Sequence, residues 1–438
     1  MHRRRFLHAA AAAAFAPAAS YGRLLGANER LGVAVVGLNG RGRALVAAVL
    51  ANAEAYELRA LCDVDSTTYG RLAEGLGEAA ASVTGLPTHT DYRRLLESPD
   101  VDVVAIATPE HWHTPMALMA LKAGKHVYLE KPCSFCPAEG ELLVAAQARY
   151  GRHVQMGNQQ RSAPSTREAI ARIHEGALGR AYAAKAWYAN RRGPIGEERA
   201  AAVPAHLDWE LWQGPAPRRA YAEPWVHYDW HWHRAWGTGE INNNGTHEID
   251  VCRWALEVDY PVRVASSGGR FHYDDAWQWY DTQTADYTYA DGKLVTWEGR
   301  SCNPAPTYGR GRGAWIGGTD GWAVLDRDGA TLYDLDGQPT WERREEATGA
   351  TLDTVGAGPL DVFHWANLAA AITAGTPLHS PIADARVSQW HRHLGNVALD
   401  LGRAVAVDPA TGTPVDDPAA TAKWTREYEP GWEPTLEG

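Results

Sequence analysis

The stretch LGVAVVGLNGRGRALVAAVL, residues 31–50, constrains the fold more than any other part of the chain. It opens on a short β-branched run from Val33 to Val36, passes Gly37, Gly40 and Gly42, and continues as an Ala/Val/Leu-rich segment of helical character. A strand, a glycine turn and a helix in that order are the context that a dinucleotide-binding loop needs. The glycines let the backbone turn tightly and approach a pyrophosphate, whose charge rests on the positive end of the helix. Gly37, Asn39, Gly40, Arg41 and Gly42 are therefore candidate cofactor-binding positions. The spacing is GxxGxG rather than GxGxxG, so on this segment alone a plain tight βα turn stays open.

The next segment, YELRALCDVD, reads as a second strand ending in Asp63 and Asp65. Asp63 lies 26 residues after Gly37, where a carboxylate can accept from the adenosine ribose. The same charge repels a 2′-phosphate, which favours NAD over NADP. Strand and helix signals then alternate through VDVVAIATPEHWHTPMALMALKAG, KHVYLEKP, ELLVAAQARY and HVQMGNQQ. Short apolar strands between helices imply a parallel, doubly wound α/β sheet covered on both faces. Ligands on such sheets bind beyond the carboxyl ends of the strands. That rule places Thr108, Pro109 and His113 of ATPEHWH, with Glu130 and Lys131 of EKP, near the cofactor. After about residue 178 the alternation gives way to longer strand-like segments such as AYAAKAWYAN and DTQTADYTYA.

At 438 residues the chain has room for two domains. Its net charge of −11 argues against a nucleic-acid partner, because a phosphate-binding surface needs surplus Lys and Arg. The N-terminus, MHRRRFLHAAAAAAFAPAAS, combines a basic start, an Ala-rich apolar run and a small-residue cleavage candidate at Ala16–Ala18. His2–His8 looks like a twin-arginine export signal, so the mature protein is expected to be periplasmic or secreted. No stretch is long and apolar enough to be a convincing membrane span. Five cysteines cannot all pair within the chain, and the CxxC of Cys133 and Cys136 has no second CxxC to complete a zinc site.

Candidate substrate contacts come mainly from the second half. In INNNGTHEID a single histidine, His247, follows three asparagines and a glycine where the chain enters a helix. On its own such an imidazole is more often structural than catalytic. Upstream, HYDWHWHRAWGTGE supplies His227, His231, His233 and Glu240. In an extended segment His231 and His233 share one face, and HxH with a carboxylate is a pattern that can hold a metal. Lys185 and Trp187 offer charge and an aromatic platform on one strand, while Arg161 and Arg300 are suited to pinning hydroxyls or a carboxylate. Structural ion pairing explains the arginines equally well. Nineteen tryptophans against five phenylalanines complete the picture, seven of them between Trp187 and Trp236; they suit either sugar-ring packing or a core.

Together the glycine turn, CDVD, TPEHWH, YLEKP, GNQQRS, LDWELWQGPAP, NNNGTHEIDVCRWAL and HLGNVALDLGRAV resemble the glucose–fructose oxidoreductase/inositol dehydrogenase/MocA (Gfo/Idh/MocA) family, in particular its exported, Trp-rich branch. The resemblance covers essentially all of the chain after the export signal. It implies a Rossmann domain that binds NAD(P) over residues 29–160, after a signal and linker at 1–28. An α+β domain with a large, mostly antiparallel open sheet follows at 161–370, and a C-terminal helix and tail, 371–438, return towards the first domain. It also implies that Lys131 reaches the reacting hydroxyl beside the nicotinamide, and that His247 and the residue four before it aim at the substrate. The family pattern has Asp there; this chain has Asn243, which can orient a hydroxyl but not take a proton near neutral pH. The acid/base work then falls on His247, with Lys131 assisting. The expected site is Lys131 and His247 as catalytic residues, with Asn243, His231, His233, Arg161, Lys185 and Trp187 around a sugar-like substrate and no metal. Subunit pairing through the open sheet is a further implication. An exported enzyme is expected to keep its NAD bound, oxidising and reducing sugars in turn or cleaving or epimerising a sugar through a transient keto intermediate. A non-catalytic nucleotide and sugar sensor is the alternative of a different class.

Overall fold

The computed structural model describes residues 30–345 and 358–436; the expected export segment lies outside the described residues. In the first half, β1 (Leu31–Val36), β2 (Tyr56–Cys62), β3 (Thr88–His89), β4 (Val103–Ile106), β5 (His126–Leu129) and β6 (Val154–Met156) form a parallel sheet in the order β3-β2-β1-β4-β5-β6. Every residue of β1 and β4 is buried, as strands covered by helices on both faces must be. The strand order reverses beside β1, and the crevice beyond the carboxyl ends opens there. Gly37 after β1, Thr108 after β4, and Glu130 and Lys131 after β5 all fall at that edge.

The second sheet has nine strands. β7 (Ala181–Ala189) lies near its middle; β8 (Arg199–Ala200) and β9 (Ala222–Glu223) pair separately as a small ribbon. β10 (Arg263–Gly269), β11 (Thr282–Thr288), β12 (Leu294–Arg300), β13 (Arg312–Gly318), β14 (Gly321–Leu325), β15 (Gly329–Asp334), β16 (Pro339–Arg344) and β17 (Val405–Ala406) complete the order β16-β15-β14-β13-β7-β12-β11-β10-β17. All pairings are antiparallel except β7 with β12. On one face Ala184, Ala186 and Trp297 pack with Ile249 of the helix Gly245–Leu256 and Leu394 of the helix Ile382–Asp400. Period-2 alternation sends Lys185 and Trp187 to the opposite face.

Two C-terminal helices join the domains. Trp365 and Leu368 of the helix Pro359–Ala374 enter the core of β1 and β2, where Trp365 stacks on Tyr128 at 4.6 Å and its carbonyl accepts from the Tyr56 hydroxyl at 2.9 Å. This helix runs across the boundary expected at 370, so the segment returning to the first domain begins at Pro359. The helix Ile382–Asp400 places Ile382 and Ala385 in the core of the first domain and Trp390 and Leu394 in that of the second.

Between β7 and the helix Gly245–Leu256, the Trp-rich segment folds over the crevice. Trp209, Trp212, Trp225 and Trp236 form their own core, and Trp232 stacks on Trp277 at 3.9 Å. Most of the indoles thus hold this cover together rather than offering flat faces to a ligand. The cover docks on the end of β2, where Asp65 meets His206 at 2.9 Å and His227 at 2.5 Å.

Candidate active site

A cavity of about 410 Å³ opens where the carboxyl ends of β1, β4 and β5 meet the Trp-rich cover and the start of the helix Gly245–Leu256. Its size suits a small-molecule site.

At one end the lining is built for close backbone approach. Gly37 sits at φ +79°, and a Cβ there would lie 2.6 Å from the Ala107 carbonyl oxygen. A Cβ on Gly42 would lie 1.7 Å from the Gly37 carbonyl oxygen, while Gly40, at φ +43°, has nothing within 4 Å of that position. Gly37, Asn39, Gly40, Thr108 and Pro109 face the cavity, and Gly42 supports the turn from behind. The Thr108 hydroxyl is buried with no partner among the described residues, a group waiting for a ligand atom. Asp63 also faces the cavity; its Oδ2 accepts from the Leu38 N–H at 2.7 Å and its Oδ1 from the Asp65 N–H at 2.9 Å. Each carboxylate oxygen has a second lone pair, so Asp63 can brace the glycine turn and still receive a ribose hydroxyl. A glycine cradle, an unpartnered hydroxyl and a carboxylate at the strand end together fit a dinucleotide. Gly42→Ala is accordingly expected to push the turn open and to weaken NAD binding at least about tenfold, the equivalent of 1–2 kcal/mol of backbone strain. Isothermal titration with NAD measures it; unchanged affinity would mean the cofactor does not use this turn.

Arg41 and His113 do other work. Arg41 donates from Nε to Glu130 at 2.7 Å and from Nη1 to Asp361 at 3.0 Å, so its charge is matched within the protein. His113 lies between the carbonyls of Pro132 at 2.6 Å and Thr108 at 2.9 Å, tying the ends of β4 and β5 together. Glu130 can sit where it does because position 157 is glycine; a Cβ there would be 2.7 Å from its Oε1.

At the other end Lys131, Asn243, His247 and His231 face one space. Lys131 donates from Nζ to the Asn243 carbonyl at 3.0 Å and to its Oδ1 at 2.8 Å. Burial lowers its pKa, while Glu130 and Glu110 favour the ammonium and offset part of that loss. Burial and then the charges of Arg327, Arg312 and Lys131 hold His247 well below the ordinary histidine value, so it is neutral at pH 7. His231 stacks on Trp230 at 3.6 Å and lies 2.6 Å by Nδ1 from the Tyr228 carbonyl; burial keeps it neutral, with a pKa of about 3.

Four expected contacts lie elsewhere. The segment Asp229–Trp232 is a 3₁₀ turn rather than a strand, so His231 and His233 do not share a face. His233 packs between Trp225 and Trp236 and accepts from the Ala235 N–H at 3.0 Å. Arg161 is buried in a fork on Asp250, at 2.6 and 2.9 Å, and reaches Asp384 at 2.8 Å. Asp250 therefore takes Arg161, not its helix neighbour Arg253, as its bidentate partner. Lys185 pairs with Glu298 on the far sheet face, where Trp187 donates to the Arg310 carbonyl at 3.0 Å. Arg300 joins the same Glu298 at 3.0 Å. Among the described residues no group of three or more His, Cys, Asp or Glu is placed to hold a metal. Cys133 and Cys136 are free and buried, and burial pushes their thiols up to about 11 and about 12, away from redox-active thiolates.

The cavity also gathers Arg192, Arg312, Arg327 and Tyr228, which the sequence reading did not single out. Arg192 and Arg312 adjoin glycines in RRG and YGRGRG, and Arg327 lies in the turn LDRDG between β14 and β15. Those are strand-end positions, and only strand pairing shows that they meet; Arg312, for instance, stands opposite Tyr188.

Comparisons with known proteins agree with this architecture. Residues 31–158 match the model of an oxidoreductase family with an NAD-binding Rossmann fold, and residues 184–319 match the C-terminal alpha/beta domain of the same family; together they cover more than half the chain. A glycosyl hydrolase family 109 protein of Saccharopolyspora erythraea is 32% identical over 156 residues, 35% of this chain and 34% of that protein. A levoglucosan dehydrogenase of Pseudarthrobacter phenanthrenivorans is 28% identical over 213 residues, 45% of this chain and 47% of the relative. These alignments span less than half the length of either curated relative. The crystal structure of an aldose–aldose oxidoreductase from Caulobacter crescentus, complexed with glycerol, superposes with a TM-score of 0.65 at 20% identity, covering 86% of this chain and all of that one. With its cofactor cradle and both domains matched, the chain belongs to the Gfo/Idh/MocA oxidoreductase family.

Proposed function

We propose that the protein is an NAD-dependent oxidoreductase acting on a secondary hydroxyl of a sugar or sugar derivative, with NAD kept bound and restored within each cycle. The observation that carries this reading is the convergence of Lys131, Asn243 and His247 on the cavity that also contains the glycine cradle. Bound NAD would supply the carbon that accepts and returns a hydride. The Lys131 ammonium, held by two acceptors of Asn243, has a third N–H for the substrate oxygen and stabilises developing alkoxide charge. Neutral His247 takes the hydroxyl proton as the C–H electron pair leaves with its hydrogen, so alcohol becomes ketone and imidazole becomes imidazolium. Asn243 fixes the lysine and the hydroxyl without exchanging protons.

The retained cofactor follows from the export signal read in the sequence, since a periplasmic or secreted enzyme has no nicotinamide pool from which to replace NAD. The outward sheet face is the proposed surface for pairing of subunits. A second reading, glycosidic cleavage or epimerisation through a transient ketone, draws support from the glycosyl hydrolase family 109 relative and from an established NAD-dependent exception to two-carboxylate hydrolysis. A lysine and an imidazole converging beside the cofactor cradle favour turnover over a sensor that only binds. Denaturing the purified protein without added nucleotide and analysing the supernatant by mass spectrometry tests retention; stoichiometric NAD(H) is expected, and none would overturn it. A panel of sugars and glycosides, followed by fluorescence of reduced nicotinamide and by product analysis, tests the chemistry. No hydride transfer from any of them, with NAD supplied, would overturn the oxidoreductase reading.

A further inference from the structure

The charges around the cavity do not balance, and the imbalance lies at the substrate end. Arg41 forms direct ion pairs with Glu130 and Asp361, and Lys131 is attracted by Glu130 and Glu110. Arg192 is matched by Glu240 at 2.9 Å, and Arg312 by Glu248 at 2.7 Å. Burial pushes Glu110 up to about 7, so at neutral pH it supplies only part of a negative charge, and Lys131 draws on that part. Arg327 remains: it faces the cavity, and no hydrogen bond or direct ion pair among the described residues holds its guanidinium, which Glu248 and Asp361 attract only from a distance. Beside it, Nη2 of Arg312 is buried without a partner among the described residues. The acceptor that holds Lys131 is the amide of Asn243, which brings no charge.

We infer that the substrate carries an acidic group, a carboxylate or a sulfate or phosphate ester, that docks on Arg327 and Arg312 while its neighbouring hydroxyl reaches Lys131 and His247. The inference rests on the sugar-oxidoreductase reading above and narrows its substrate class. At this cavity wall Arg312 repels Arg327 more than Glu248 attracts it, and the two planar forks suit a bidentate oxyanion. A neutral sugar could accept from either arginine but would leave the charge uncompensated. Burial and Arg312 lower the Arg327 pKa to about 10, which keeps it charged at neutral pH. Arg327 and Arg312 are also the first charges that hold His247 down. An anion between them would relieve that field and raise the basicity of His247 when the correct substrate arrives.

The test uses the full chain with its NAD and compares glucuronate and galacturonate, and hexose sulfates and phosphates, with the parent neutral aldoses. At least one acidic sugar is expected to exceed its neutral parent in kcat/KM by about 100-fold, the scale of one charge-assisted contact, and the preference should shrink with added salt. Arg327→Gln is expected to collapse that ratio roughly tenfold or more while NAD content stays at the wild-type level. If Arg327→Gln does not fold, the wild-type ratio and the melting shift given by free glucuronate against glucose decide the matter. Equal or better use of neutral sugars would overturn the inference while leaving the oxidoreductase reading in place. Loss of NAD from Arg327→Gln would overturn it by assigning the arginine to the cofactor phosphates. Hydride transfer from no sugar, acidic or neutral, would remove both readings together.

Discussion

Lys131→Met is expected to lower the rate of hydride transfer by about 10³-fold with NAD still bound. The methionine keeps the apolar stem but removes the charged donor that bonds Asn243, at 3.0 and 2.8 Å, and faces the substrate space. Losing one preorganised donor, or one acid/base group, each costs roughly 10²–10⁴-fold. The pH dependence separates these causes from a fault in folding. Burial lowers the Lys131 pKa and its two neighbouring glutamates restore part of it, so the ammonium is present at neutral pH and is lost on the alkaline side. Sugar oxidation should therefore fall as pH rises, at a midpoint below the ordinary lysine value of about 10.4. That limb should vanish in Lys131→Met. Single-turnover reduction of bound NAD across a pH series measures both effects; a variant within tenfold of wild type, with its alkaline limb intact, would show that another group polarises the hydroxyl.

The first domain was legible because its signals are local. The turn at Gly37–Gly42 and the apolar strands around it are contiguous in sequence, and a parallel sheet obliges the strand ends to meet. Lys131 and His247 sit 116 positions apart, and their joint placement was implied by resemblance rather than by spacing. Elsewhere the periodicity was readable and its orientation was not. Lys185 and Trp187 do share a strand face, but the helix Gly245–Leu256 covers the other one. His231 and His233 lost their common face to a single 3₁₀ turn, which no short-range signal in DWHW announces. Arg192, Arg312 and Arg327 were missed because what brings them together is pairing across a nine-stranded sheet, and a one-residue slip in register would have turned Arg312 away.

Arg161 shows the same limit from the opposite direction, because its partners are distant carboxylates rather than a ligand. Arg161→Met is expected to destabilise the fold by about 3–5 kcal/mol, the cost of leaving one member of a buried ion pair unmatched. Asp250 would keep only Ser388 and the charge of Arg253, while Asp384 and the Trp254 ring, 4.6 Å from the guanidinium carbon, would lose their contact as well. Burial alone would raise the Asp250 pKa, but Arg161, helped by Arg253 and Ser388, outweighs it and holds the carboxyl below its usual value. A depressed carboxylate contributes stability above its unfolded pKa of about 3.9 and loses it as pH falls through the lower folded value. The stability gap between wild type and Arg161→Met should thus be full at neutral pH and narrow in acid. Arg161→Lys, which keeps the charge but not the fork, should fall between them, and Asp250→Leu added to Arg161→Met should recover part of the loss by removing the stranded charge. Urea unfolding at several pH values, alongside KM for the best sugar at a temperature where each variant is folded, checks the series. A raised KM with unchanged unfolding free energy would return Arg161 to the substrate; a lowered free energy with unchanged KM places it among the residues that hold the helix carrying His247 against the rest of the fold.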